Sequence, residues 1–137
     1  MMYITRKERF SAAHRLFRND YSEQKNREIF GKCNNPNWHG HNYDLYVTVK
    51  GKVNPETGFV LNLKQLSEII REHIIEKLDH KNINLEVDFM HGRLASTENL
   101  ATGIWDQLQK HLKKWDVQLH CIKIHETENN FVEYYGE

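Results

Sequence analysis

The chain has 137 residues, 39% of them hydrophobic and 28% charged, the composition of one globular domain over residues 1–137 rather than of a disordered segment. Lys+Arg and Asp+Glu each number 19, and this neutrality argues against a general nucleic-acid binder, which needs basic excess for its phosphate contacts. No apolar run approaches the roughly 18 residues that span a bilayer, MMYITRKERF holds no apolar secretory core, and two cysteines make no disulfide framework, so a reducing, cytoplasmic setting is expected.

YITRKERFSAAHRL reads as a strand, with Phe10, Ala12, His14 and Leu16 on one face. The stretch from Asp20 to Asn37 is polar and reads as a long loop. HGHNYDLYVTVKGKV alternates, placing Tyr43, Leu45, Val47 and Val49 on one face. Asn54-Pro55-Glu56-Thr57-Gly58 is a turn, followed by a short strand at FVLN. NLKQLSEIIREHIIEKLDH has helical spacing at Leu66, Ile69, Ile70, His73 and Ile74, with Asn62 as cap and Gln65 three residues on. A second helix runs from about Ser96 to Trp115, capped by Ser96 or Thr97 and buried along Leu100, Ile104, Leu108 and Leu112. VQLHCIKIHE and NFVEYYG read as a closing hairpin. This order predicts an α+β domain: a mainly antiparallel sheet with helices packed on one face.

Nine histidines are unusual for this length, and three share a pattern. His39 and His41 are two apart on a strand, so both imidazoles point the same way. His14 lies on the apolar face of the first strand. If the two strands pair, all three converge at one end of the sheet. Three imidazoles on a β scaffold suit a catalytic zinc ion, whose fourth position stays open. Cys33 precedes His39 by six residues and offers a second reading, a closed structural site of one thiolate and three imidazoles. Structural zinc in small domains prefers more thiolates, which favours the open set. Beside a cation a thiol loses its proton more readily and serves as a base. Cys121, within LHCIKI, reads as a packed strand residue. Asp79-His80 closes the first helix, either as a dipole-matched terminus or as an acid/base pair. Glu126 at a strand end is either solvated or able to accept two hydrogen bonds from the paired N–H groups of a pterin or guanine edge.

FSAAHRL, FGKCNNPNWHGHNY, LDHKN, STENLATGIW and ETENNFVEYYGE, in this order, resemble the 6-pyruvoyl tetrahydropterin synthase family over nearly the whole chain. The resemblance implies the tunnelling fold (T-fold), a four-stranded antiparallel sheet with two helices. Sheets of three subunits would close into a barrel, and two trimers would stack into a homohexamer with active sites between subunits. It implies a lyase of tetrahydrobiopterin biosynthesis that converts 7,8-dihydroneopterin triphosphate to 6-pyruvoyl tetrahydropterin and triphosphate. Zn2+ would sit on His14, His39 and His41. Cys33 would be the base, completed by Asp79 and His80, and Glu126 would anchor the pterin, with Thr97 and Glu98 near its pocket. Mg2+ would accompany the triphosphate, for which Arg15, Arg18, Arg27 and Lys32 are candidate partners. Trp38 stands where the family pattern leads one to expect glycine. Two rivals remain: the sister 6-carboxy-tetrahydropterin synthase of the queuosine pathway, and a non-catalytic zinc-binding module. The sister has a shorter spacing between cysteine and H-G-H than the five residues Asn34–Trp38 found here.

Overall fold

Two 13-residue strands, β1 (Met2–His14) and β2 (His39–Gly51), pair antiparallel along their whole length and carry the rest of the fold. The computed structural model describes residues 1–137. The strict alternation of β2 buries Tyr43, Leu45, Val47 and Val49 completely on one face. β1 meets that face with Glu8, Phe10, Ala12 and His14. β4 (Gln118–His125) pairs antiparallel with β2, and β5 (Phe131–Tyr134) with β4.

The buried face is covered by helices. After the Asn54–Phe59 turn, the Asn62 side chain caps α2 (Leu63–Ile70) by accepting from the Lys64 amide. Gln65 takes no part in that cap. The helix continues through a π turn at Arg71–Ile75 into α3 (Glu76–Leu78), burying Leu66, Ile69, Ile70, Ile74, Ile75 and Leu78. α5 (Thr97–Leu112) is capped by Ser96, whose hydroxyl accepts from the Asn99 amide, and buries Leu100, Ile104, Leu108 and Leu112. α2 lies on β1, and α5 on β4 and β5. The result is the expected α+β layering, with both long helices on one sheet face.

Three expectations are corrected. Asp20–Asn37 is not one loop: it holds α1 (Glu23–Phe30), capped by Ser22, and a 3-10 turn at Gly31–Asn34. Only Asn26 of α1 is buried, so no apolar stripe marks the helix. FVLN forms no strand; Leu61 tucks into the core and Asn62 begins α2. The sheet has five strands, in the order β3-β1-β2-β4-β5, because β3 (Lys81–Asn82) pairs parallel with β1 at Ala12 and Ala13. α4 (Ile83–Glu86), capped by the Asn82 side chain, follows directly.

Gly40 separates the two histidines of β2. A Cβ added there would stand 3.3 Å from the main-chain oxygen of Ala12, closer than ordinary packing, so the β1–β2 ladder would have to yield beside His14. Gly40→Ala is therefore expected to cost about 1–3 kcal/mol of stability. Urea denaturation of the two proteins checks this; an unchanged midpoint would mean that the ladder tolerates the methyl group.

Candidate active site

The β1–β2 register sets His14 directly opposite His39, and Ala12 opposite His41. Opposed residues share a sheet face, so all three imidazoles meet on the helix-covered side at one end of the sheet. Ring centroids lie 4.4 Å apart for His14–His39, and 5.1 Å apart for both His14–His41 and His39–His41. Glu126 joins them: one ligand atom from each of the four residues lies within 4.8 Å of the others. The expected convergence of the histidines is observed, and Cys33 is not in the group.

The donors are arranged to leave nitrogens bare. His14 donates its Nδ1–H to the Ala95 carbonyl oxygen at 2.7 Å, which leaves Nε2 without a proton. Nε2 of His14, Nδ1 of His39 and Nε2 of His41 are all buried with no hydrogen-bond partner. Nε2 of His41 stands 2.8 Å from Glu126 Oε1, without the alignment a hydrogen bond needs. Burial holds all three histidines below the ordinary imidazole pKa. Mutual repulsion adds to this. The Ala95 bond at His14 and the Glu126 charge at all three oppose it. Buried polar atoms without partners are rare, and three neutral imidazoles beside a carboxylate are a donor set for a divalent cation. The group can hold a metal ion.

The surroundings fix this set in place. Tyr43 lies beneath it, fully buried and stacked on Phe10 at 4.8 Å, and burial pushes its phenol pKa well up. Glu126 follows β4 on the parity of Ile122 and Ile124, both fully buried, so its carboxylate faces the histidines. Thr97, 4% exposed at the start of α5, donates its hydroxyl to Glu126 Oε2 at 2.7 Å. Glu98 is exposed and its side chain makes no hydrogen bond to the group. The sequence resemblance makes Glu126 an anchor of the pterin ring rather than a neighbour of the imidazoles; its parity with Ile122 and Ile124 is the signal that it stands among the histidines. Nothing in the sequence marked the Ala95 carbonyl.

Cys33 sits half-buried in the 3-10 turn, close enough to Tyr43 for a thiolate charge to bear on the phenol. Its carbonyl oxygen accepts from the Leu16 amide at 2.8 Å, two residues beyond His14. Asp79 and His80 do aim at each other, with His80 Nδ1 3.0 Å from Asp79 Oδ2. Chain neighbours manage this because His80 adopts a left-handed φ of 60° and its amide donates to the Ser11 carbonyl oxygen. The Ser11 amide, and after it the His80 ring, hold the Asp79 carboxyl below its usual pKa. The pair lies at the β3 edge of β1, His80 is 84% exposed, and no hydrogen bond links it to the histidine group.

Two outcomes follow from this geometry. A histidine kept neutral by folding disfavours the folded state once the unfolded chain takes up protons. The metal-free protein should therefore lose stability as pH falls through the ordinary imidazole pKa of 6.5. Urea midpoints at about pH 7.5 and 5.5 measure this, and a His39→Gln, His41→Gln variant should show a smaller difference. Cobalt loaded in place of a native metal should show no sulfur–metal charge-transfer band; such a band would place Cys33 in the ligand set.

Known proteins match this chain over nearly its full length. The family model described as PTPS, 6-pyruvoyl tetrahydropterin synthase, matches residues 3–137. The chain is 46% identical over 134 residues to human 6-pyruvoyl tetrahydrobiopterin synthase, covering 98% of this chain and 91% of that one. The 6-carboxy-5,6,7,8-tetrahydropterin synthase of Bacillus subtilis is 28% identical over 113 residues, covering 79% of this chain and 73% of that one. The structure of Caenorhabditis elegans 6-pyruvoyl tetrahydropterin synthase superposes with a TM-score of 0.90 at 34% identity, covering 99% of this chain and 96% of that one. With its fold and nearly its full length in common with them, the chain belongs to the 6-pyruvoyl tetrahydropterin synthase family of enzymes.

Proposed function

We propose that the protein converts 7,8-dihydroneopterin triphosphate to 6-pyruvoyl tetrahydropterin with release of triphosphate, a step of tetrahydrobiopterin synthesis. The observation that carries this reading is the group of three neutral imidazoles with bare, inward nitrogens, beside the turn that bears Cys33. His14, His39 and His41 would hold the metal, and imidazole donors in this number favour zinc. A cation there would draw electron density from the hydroxyls of the substrate side chain and acidify the neighbouring C–H bond.

The remaining chemistry belongs to the chain. Cys33 as thiolate takes the C–H proton. Asp79 orients His80 to accept and return protons. Glu126 accepts the paired N–H groups of the pterin ring, its position held by the Thr97 hydroxyl. Glu98 lies at the rim, and Mg2+ accompanies the leaving triphosphate. Asp79-His80 stands exposed at the sheet edge, which supports a site completed by a second subunit. The corresponding assembly is a homohexamer of two trimers, each closing its sheets into a barrel, in the cytoplasm. The Asn34–Trp38 spacing and the 46% against 28% identity favour the pyruvoyl product over the 6-carboxy one.

Zinc-loaded protein given 7,8-dihydroneopterin triphosphate should release triphosphate and form the 6-pyruvoyl product. Cys33→Ala should lower kcat by about a hundred- to ten-thousand-fold with metal content unchanged. A 6-carboxy product would move the protein to the sister activity, and loss of metal with the thiol would restore the closed structural site.

A further inference from the structure

Arg15 directly follows the histidine at the end of β1, and its guanidinium is already engaged. Nε donates to the main-chain oxygen of Asn34 at 2.9 Å, and one Nη to the Asn34 side-chain oxygen at 3.1 Å. The fork thus grips both oxygens of one residue, the one next to Cys33. Asn34 is 6% exposed, so this contact is shielded from water. The Leu16 amide adds its bond to the Cys33 carbonyl oxygen at 2.8 Å. Arg15 is itself fixed from the other side. The Asn84 side chain accepts from the Arg15 backbone N–H through Oδ1 at 3.0 Å and donates from Nδ2 to the Arg15 carbonyl oxygen at 2.9 Å, as a strand partner would. The Asn84 backbone is held in turn by the Asn82 cap. The Phe17 ring lies 4.5 Å from the guanidinium carbon.

We infer that Asn34 and Arg15 are positioning residues: together they hold the Cys33 turn at a fixed distance from the histidine group. The inference rests on the proposed role of Cys33. The physical reason is the weakness of the turn itself. Gly31–Asn34 is a single 3-10 turn, too short to hold its own geometry, and the Cys33 side chain makes no hydrogen bond. A thiol that must reach one C–H bond loses rate steeply with small displacement. The fork supplies two of the three bonds that tie this turn to the chain just after His14. This assigns Arg15 differently from a triphosphate ligand, whose guanidinium would have to turn its N–H groups from Asn34 to the substrate.

The two roles separate in Asn34→Ala, which keeps the Arg15 guanidinium and removes the side-chain half of its grip, whereas Arg15→Lys removes the two-point grip itself. Arg15→Lys and Asn34→Ala should each lower kcat by about ten- to a hundred-fold while KM stays within about two-fold and zinc content is retained. The double variant should be little worse than Arg15→Lys alone, because Asn34→Ala removes only the side-chain half of the same contact. A raised KM with unchanged kcat in Asn34→Ala and Arg15→Lys would overturn the inference, as would additive losses. Alkylation of Cys33 by iodoacetamide, with buried Cys121 as internal reference, gives a readout independent of turnover. Its rate should change in both variants, and equal rates in wild type and variants would overturn the positioning role. Wild-type protein without turnover would instead overturn the proposed function, with the alkylation rates still deciding the clamp.

Discussion

The candidate site depends on one backbone pairing, His14 opposite His39. A slip of one residue between β1 and β2 would send either His14 or the His39–His41 pair to the other sheet face. Three features resist that slip. The ladder runs unbroken over 13 pairs from Met2–Gly51 to His14–His39. Tyr43 stacks on Phe10, the residue facing it across the ladder. The alternation of β2 buries Tyr43, Leu45, Val47 and Val49 on the helix-covered face, which a one-residue slip would expose. The same hydrophobic pattern that folds the sheet therefore aligns the imidazoles. The apolar core and the site lie on one continuous face, with the histidines at its end.

Placing three imidazoles at the end of a core has an electrostatic consequence. Burial makes their protonation costly, so the group stays neutral and its nitrogens stay unpartnered. In a metal-free chain this is a local defect, since buried nitrogens lack the hydrogen bonds that water would give them. Glu126 compensates only partly: its carboxylate reaches His41 and His14, at 2.8 and 3.8 Å, without hydrogen-bond alignment to either. Thr97 holds the other carboxylate oxygen and so fixes which one faces the histidines. A divalent ion would satisfy the bare nitrogens at once. That is the physical argument for reading the group as a site rather than as a polar patch of core.

The sheet and the histidine set were legible because both follow from period two. Alternation identified the faces of β1 and β2, and the i, i+2 spacing of His39 and His41 is the same rule applied to ligands. The helices α2 and α5 were legible from their apolar stripes and their caps. What escaped had no periodic signature. α1 buries only Asn26, so its eight residues look like loop. β3 is two residues long and exists only because β1 offers it an edge. Asp79-His80 could be named from the sequence but not aimed, since its geometry rests on a left-handed residue. The Arg15–Asn34 fork links positions 19 apart and depends on where a short turn lies in space.

Trp38 and His80 are the two non-glycine residues with positive φ, at 68° and 60°. Left-handed backbone costs a residue with a Cβ about 1–2 kcal/mol. Neither residue escapes that cost by type: glycine is the usual occupant, and asparagine the common substitute. Both adjoin candidate site residues. Trp38 is the last residue before His39, and His80 completes the pair with Asp79. At Trp38 the turn must reverse the chain between the Cys33 segment and β2 within the residues Asn34–Asn37. The required reversal explains why the family pattern suggests glycine there. This chain places a large ring in the same conformation, and the surrounding pairings are strong enough to hold it. Backbone strain next to a ligand persists only where neighbouring structure over-determines it. Here the β1–β2 ladder on one side and the Arg15–Asn34 fork on the other supply that determination.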